Sequence, residues 1–168
     1  TVLFVAETAS ELINGGIAPW AFEDNLSFQQ CLVELQLHKE RIFRLGAESL
    51  KAQHVLIVCD RGVMDNKAYM TPLEFQMVAR NTGRAEVELR DTYDAVFHLV
   101  TAAKGAEDAY TCENNKARTE SIEQAAALDD KLLAAWTGHP HLRVIDNTMA
   151  FEDKMKRLVA EIASFLGE

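Results

Sequence analysis

The sequence predicts an α/β fold in which parallel strands are joined by helical crossovers. Three observations predict it. Apolar runs of strand length recur at four places, helical apolar stripes alternate with them, and no internal repeat or Pro/Gly/Ser-rich joint divides the 168 residues. Strand–helix alternation of this kind means parallel strands with helices on both faces. The length is that of about one domain, so residues 1–168 are read as a single domain. Hydrophobic residues make up 48% and charged residues 26%, an ordinary globular profile. A chain of this size buries roughly two-thirds of its unfolded surface and needs neither disulfide nor metal to hold a core.

Val2–Val5 is β-rich and reads as the first strand. Thr8 and Glu11 have capping-box spacing, and Gly15-Gly16 stops the short helix that follows. A loop with Pro19 and Trp20 leads to Ser27-x-x-Gln30, a second cap signal. From there Phe28, Leu32, Leu35, Ile42 and Leu45 carry a helical stripe to about Leu50. Val55–Cys59 is a continuous apolar run, which suits a strand buried on both faces. Thr71-Pro72-Leu73-Glu74 starts a helix that ends near Gly83. Ala95–Val100 is the third strand. Ile122, Ala125, Ala126, Leu132, Leu133 and Trp136 keep helical spacing, interrupted by Asp129, until Gly138 and Pro140. Leu142–Ile145 is the fourth strand, and Phe151, Met155, Leu158, Val159, Ile162, Phe165 and Leu166 form a closing amphipathic helix.

The balance of 26 acidic against 17 basic residues, net −9, argues against nucleic-acid binding, whose affinity comes from Lys and Arg on phosphates. Residues 1–38 hold no Lys or Arg, so cations for an anionic ligand must come from Lys39 onward. Cys31, Cys59 and Cys112 form no C-x-x-C and no even framework. They read as thiols of a reducing compartment, which makes the cytoplasm the expected location. No apolar run approaches the ~20 residues of a membrane helix, so no membrane insertion is expected. His139-Pro140-His141 lacks a nearby third ligand and reads as a turn, and His98 reads as a satisfied core residue.

Ligands of open α/β sheets bind beyond the carboxyl ends of the strands. The first strand is followed by Glu7-Thr8, the second by Asp60-Arg61-Gly62, the third by Thr101 and a polar stretch, and the fourth by Asp146-Asn147-Thr148. Thr8 and Thr148 read as caps. An apolar strand ending in Asp is the Walker B arrangement, in which the carboxylate holds magnesium beside the β- and γ-phosphates. A guanidinium such as that of Arg61 can grip a phosphate with two parallel hydrogen bonds, a contact to a helix end being its competing role. Lys116 and Arg118, followed by Glu120, suit a lid closing over phosphates, or else an ordinary polar approach to a helix.

Several stretches together resemble one family. They are Val2–Thr8, Val58–Asp65, Tyr93–Thr101, Glu113–Arg118 and Gly138–Asn147. In that order and spacing they are similar to the AAA-like ATPase domain shared by NadR-type ribosylnicotinamide kinases and the fly TRPL-translocation-defect protein. The resemblance implies a three-layer P-loop NTPase sandwich with a mainly parallel sheet, binding ATP or GTP with Mg2+. It implies γ-phosphoryl transfer to a small-molecule hydroxyl, with a nucleotide-dependent regulatory switch as the alternative. Nucleotide and small-molecule acceptor are the partners it implies, and homodimer formation is left open. By position, Glu7 matches the carboxylate that contacts an acceptor hydroxyl, Asp60 the Walker B-like acid, and Arg61 the phosphate-gripping arginine. Lys116 and Arg118 match the lid, with Lys replacing its first arginine, and Asn147 lies where such kinases hold the base. The G-x-x-x-x-G-K-[ST] loop of that family is absent: none of the eight glycines is followed by Lys. The family carries that loop after a central strand upstream of the one at Val2. The sequence therefore carries the expectation of a preceding strand–loop–helix of very roughly thirty residues.

Overall fold

The computed structural model describes residues 1–106 and 121–167. The chain divides into two compact units, Thr1–Leu89 and Arg90–Glu168, and each is described by itself.

In the first unit, β1 (Val2–Val5) pairs in parallel with β2 (Leu56–Cys59), Val2 opposite Leu56 and Val5 opposite Cys59. The crossover between them holds α1 (Thr8–Asn14) and the long α2 (Asn25–Ser49). A 3-10 segment over Val63–Tyr69 follows β2, and α3 (Pro72–Asn81) follows that. The predicted α3 start forms in full: Thr71 Oγ1 accepts from the Glu74 amide, and the Glu74 carboxylate accepts from the Thr71 amide. A short helix, α4 (Glu86–Arg90), lies at the end of the unit.

Two other cap expectations are corrected. Thr8 is buried and caps nothing; Glu7 occupies the N-cap position, and Glu11 instead pairs with Lys39. The α2 cap is Asp24, whose side chain accepts from the Ser27 amide at 2.7 Å, so the helix starts earlier than the Ser27 signal suggests.

The core of this unit is Val5, Leu12, Phe28, Leu32, Val33, Val63, Met64, Phe75 and Val78. The buried face of α2 runs Phe28, Leu32, Gln36, Glu40, in steps of four. Ile42 and Leu45, predicted on the apolar stripe, are exposed. Four-residue steps hold one face of a helix, and this face is completed by two polar residues instead of the next two apolar ones. All four positions of β2 are half-buried, short of the two-faced burial its apolar run suggests. Among the described residues β1 is the only strand paired with it.

In the second unit, β3 (Val96–Leu99) pairs in parallel with β4 (Leu142–Ile145), Val96 opposite Leu142 and Leu99 opposite Ile145. Between them lies α5 (Ile122–Trp136), capped by Ser121, and α6 (Phe151–Leu166) closes the unit. Leu132, Ala135, Trp136 and Ile145 are buried, and the Tyr93 ring meets Trp136 edge-on at 5.2 Å. His139 is buried in the turn after α5. Its Nε2 lies 2.8 Å from the Tyr93 carbonyl oxygen and its Nδ1 accepts from the His141 amide. Thr148 does not cap α6; its hydroxyl and amide both bond back to Asp146. The apolar face of α6 is only partly covered, since Phe151 and Val159 are exposed, whereas Lys154 is buried.

Parallel pairs joined by helices agree with the predicted α/β class. No described helix is long and apolar enough to cross a membrane.

Candidate functional site

In-register parallel pairing brings the carboxyl ends of β1 and β2 to one edge. The Asp60 amide extends the ladder by donating to the Val5 carbonyl at 2.9 Å. Residues 6–7 and 60–61 therefore leave the sheet side by side. Arg61 Nε stands 3.8 Å from Glu7 Oε1, while Glu7 Oε2 accepts from Ser10 Oγ. Three of the predicted site residues, Glu7, Asp60 and Arg61, are thus brought together.

The Asp60 side chain is exposed and no hydrogen bond reaches its carboxylate among the described residues. Partial burial, then the neighbouring Glu7 charge, pushes its carboxyl above the ordinary value; Arg61 pulls the other way and Asp65 adds to the rise. Arg61 is the one described non-glycine residue with positive φ, at 69°. That left-handed backbone costs an L residue roughly 1–2 kcal/mol and collects at functional sites when the surroundings enforce it. Here they do. The Arg61 carbonyl accepts from buried Gln36, and the next amide, of Gly62, donates to Asp65 Oδ2 at 2.9 Å. Lys39 reaches the same strand end and donates to the Ala6 carbonyl at 2.9 Å.

Cys59, the last residue of β2, is half-buried. Burial first, then the Glu40 carboxylate, pushes its thiol up to about 11. Alkylation with iodoacetamide at pH 8 should therefore label exposed Cys31 and spare Cys59, read peptide by peptide in a mass spectrum. Equal labelling would show that the end of β2 opens.

Asn147 lies in the second unit, just past β4. Its Nδ2 donates to the Thr101 and Lys104 carbonyls, each at 2.7 Å, and its Oδ1 accepts from Lys154 Nζ at 2.6 Å. Lys154 also donates to the Val100 carbonyl at 2.7 Å. The side chain predicted to meet a nucleotide base is therefore bonded at both ends to its own chain, and it shapes the turn after β3. Asp129, the polar break in the α5 stripe, is buried against the same turn. It accepts from the Thr101 amide and from Lys104 Nζ at 3.0 Å. His98 Nε2 lies 3.2 Å from Asp129 Oδ1 yet makes no hydrogen bond among the described residues, so it is not the satisfied core residue expected. Lys116 and Arg118 lie outside the described residues.

Sequence reasoning missed Gln36, Asn66, Asp129 and Lys154. Gln36, Asp129 and Lys154 stand at helical positions where the stripe calls for an apolar residue, a faint signal, and Asn66 in the 3-10 segment had none. Among the described residues no three His, Cys, Asp or Glu are grouped to hold a metal. Magnesium needs fewer, since one or two carboxylates complete a shell otherwise made of water and phosphate. Asp60 fits that use: a hard oxygen donor, exposed, and claimed by no hydrogen bond among the described residues.

An α/β protein that gathers acids and an arginine at the carboxyl ends of parallel strands belongs to the class whose ligand site is that edge. A family model described as AAA domain matches residues 2–154, a span that runs through both units. The chain belongs to this AAA-domain family, which is of the nucleotide-binding P-loop NTPase type. No curated protein and no solved structure gives a significant match.

Proposed function

We propose that the chain is the nucleotide-handling part of a Mg2+-dependent ATPase or kinase that moves the γ-phosphoryl group of ATP or GTP to a small-molecule hydroxyl. The observation that carries this reading is the meeting of Glu7, Asp60 and Arg61 at one strand edge. Bound with the nucleotide, magnesium supplies charge neutralisation across the β- and γ-phosphates. Asp60 is the residue that would hold it. Arg61 presents a cation to the transferring group, where developing charge is best met by a fixed donor. Glu7 would accept the proton of an acceptor hydroxyl as its oxygen attacks phosphorus. Ser10 and Arg61 fix the direction of its carboxylate.

Lys116 and Arg118 complete the reading as a lid that excludes water. By resemblance, Asn147 is the residue that would meet the base. The three-layer sandwich and a cytoplasmic location belong to the same proposal.

The test is phosphoryl transfer from Mg·ATP and Mg·GTP by the full-length protein across a panel of nucleosides that includes ribosylnicotinamide. Transfer to one acceptor is the expected result. Tight nucleotide binding with no transfer to any acceptor would replace the kinase by a switch.

A further inference from the structure

The end of β2 is held from within by groups that carry no charge. Gln36 on α2 is 4% exposed and Asn66 in the 3-10 segment is 5% exposed. Asn66 Nδ2 donates to Gln36 Oε1 at 2.8 Å and to the Val63 carbonyl at 3.0 Å. The Gln36 amide is thereby oriented, because its oxygen must face that donor. Its Nε2 is left to donate to the Arg61 carbonyl at 3.3 Å. A chain of hydrogen bonds between side-chain amides thus runs from the turn after β2 through α2 and ends on the backbone of the one left-handed non-glycine residue described. Rotation of Arg61 to an extended backbone would swing its carbonyl away from Gln36 and leave a buried donor unpaired, which is costly. The same rotation would carry the side chain away from Glu7.

We propose that Gln36 and Asn66 are positioning residues for Arg61. Their hydrogen bonds hold its backbone left-handed, so that the guanidinium stays beside Glu7 at the strand edge, where a phosphate would be met. The competing role is a polar core pair that stabilises the unit and has no bearing on ligand. The proposal rests on the reading of Arg61 as a phosphate-binding group, so the test separates the two.

Affinity for Mg·ATP is measured by calorimetry on the full-length protein carrying Arg61→Ala, Gln36→Met, or both. Backbone carbon shifts of Arg61 are followed by NMR in Gln36→Met. Each single change should weaken binding about tenfold, the worth of one charge-assisted hydrogen bond. The double variant should bind no more weakly than either, because Gln36 acts only through Arg61. The Arg61 shifts should leave their left-handed values. If Arg61→Ala binds like the wild type, the phosphate role of Arg61 falls, and the shifts alone decide whether Gln36 sets its backbone. If Arg61→Ala weakens binding while Gln36→Met changes neither affinity nor shifts, or if the two losses add, the positioning role is overturned. Should Gln36→Met not fold, Asn66→Ala frees the Gln36 amide while keeping its donor. It is read by the same measurements, and unchanged affinity and shifts overturn the proposal equally.

Discussion

Lys154→Met should lower the stability of the second unit by about 2 kcal/mol, a fall in melting temperature of roughly 8–16 °C for a unit of this size. The lysine is 7% exposed, yet the two groups that accept hydrogen bonds from its ammonium, the Val100 carbonyl and Asn147 Oδ1, are neutral. Methionine fills the same space and donates nothing. Asn147 Oδ1 would lose its donor, and the amide that clamps the 101–105 turn would lose its orientation. Removing a buried charge recovers some desolvation cost, which holds the expected loss to the lower end for a charged hydrogen-bond network. The measurement is thermal melting followed by Trp136 fluorescence in a Trp20→Phe background, since Trp20 is exposed and lies in the other unit.

The pH dependence of that difference carries its own sign. Burial lowers the Lys154 pKa below its ordinary 10.5, against the pull of Asp129 and Asp146. The folded protein then releases this proton at lower pH than the unfolded chain, so unfolding takes up a proton between the lowered value and 10.5. Stability linked to this group rises with pH across that window. The gap between wild type and Lys154→Met should widen there. A gap independent of pH would mean that the ammonium is solvated and that the two hydrogen bonds are not the source of the effect.

The strands, the crossovers and their parallel sense are legible in the sequence because period and apolar content are local properties. Val2–Val5, Leu56–Cys59, Val96–Leu99 and Leu142–Ile145 stand where short apolar runs lie. The helix starting at Pro72 has its whole cap within four consecutive residues and is equally legible. Asp60 and Arg61 could be picked out because they follow a strand, and Glu7 because it follows another. That these three meet depends on a register between chain segments some fifty residues apart, which no local pattern encodes. Gln36, Asn66, Asp129 and Lys154 were hidden for the opposite reason. Their type argues for solvent, and partners distant in sequence explain the burial: the Arg61 carbonyl for Gln36, the Gln36 side chain for Asn66, the Thr101 amide and Lys104 ammonium for Asp129, and the Val100 carbonyl for Lys154. A capping signal such as Thr8–Glu11 misled because Glu11 found a stronger partner in Lys39, a residue of another helix.

Asp60→Ala should abolish Mg2+-dependent turnover, a loss of about a thousandfold or more, and leave the fold intact. The fold survives because this residue contributes to the sheet through its backbone. Its amide bonds to Val5, while its carboxylate meets solvent and, among the described residues, no hydrogen-bond donor. Asp60→Asn sharpens the test, since it keeps the shape and removes only the charge. The raised pKa means that the folded protein binds this proton more tightly than the unfolded chain does. Ionised Asp60 is therefore a small burden on folding above its raised pKa, relieved as pH falls through that value toward 3.8. Asp60→Asn should accordingly melt no lower than the wild type at pH 7, by a margin of at most a few degrees upward. The margin should close as the solution is acidified. Loss of turnover together with equal or higher stability is the pattern of a residue kept for its charge in spite of the fold. A structural carboxylate would show the reverse, with melting temperature and turnover falling in step. Retained turnover in Asp60→Asn would remove the metal-holding role from this strand end altogether.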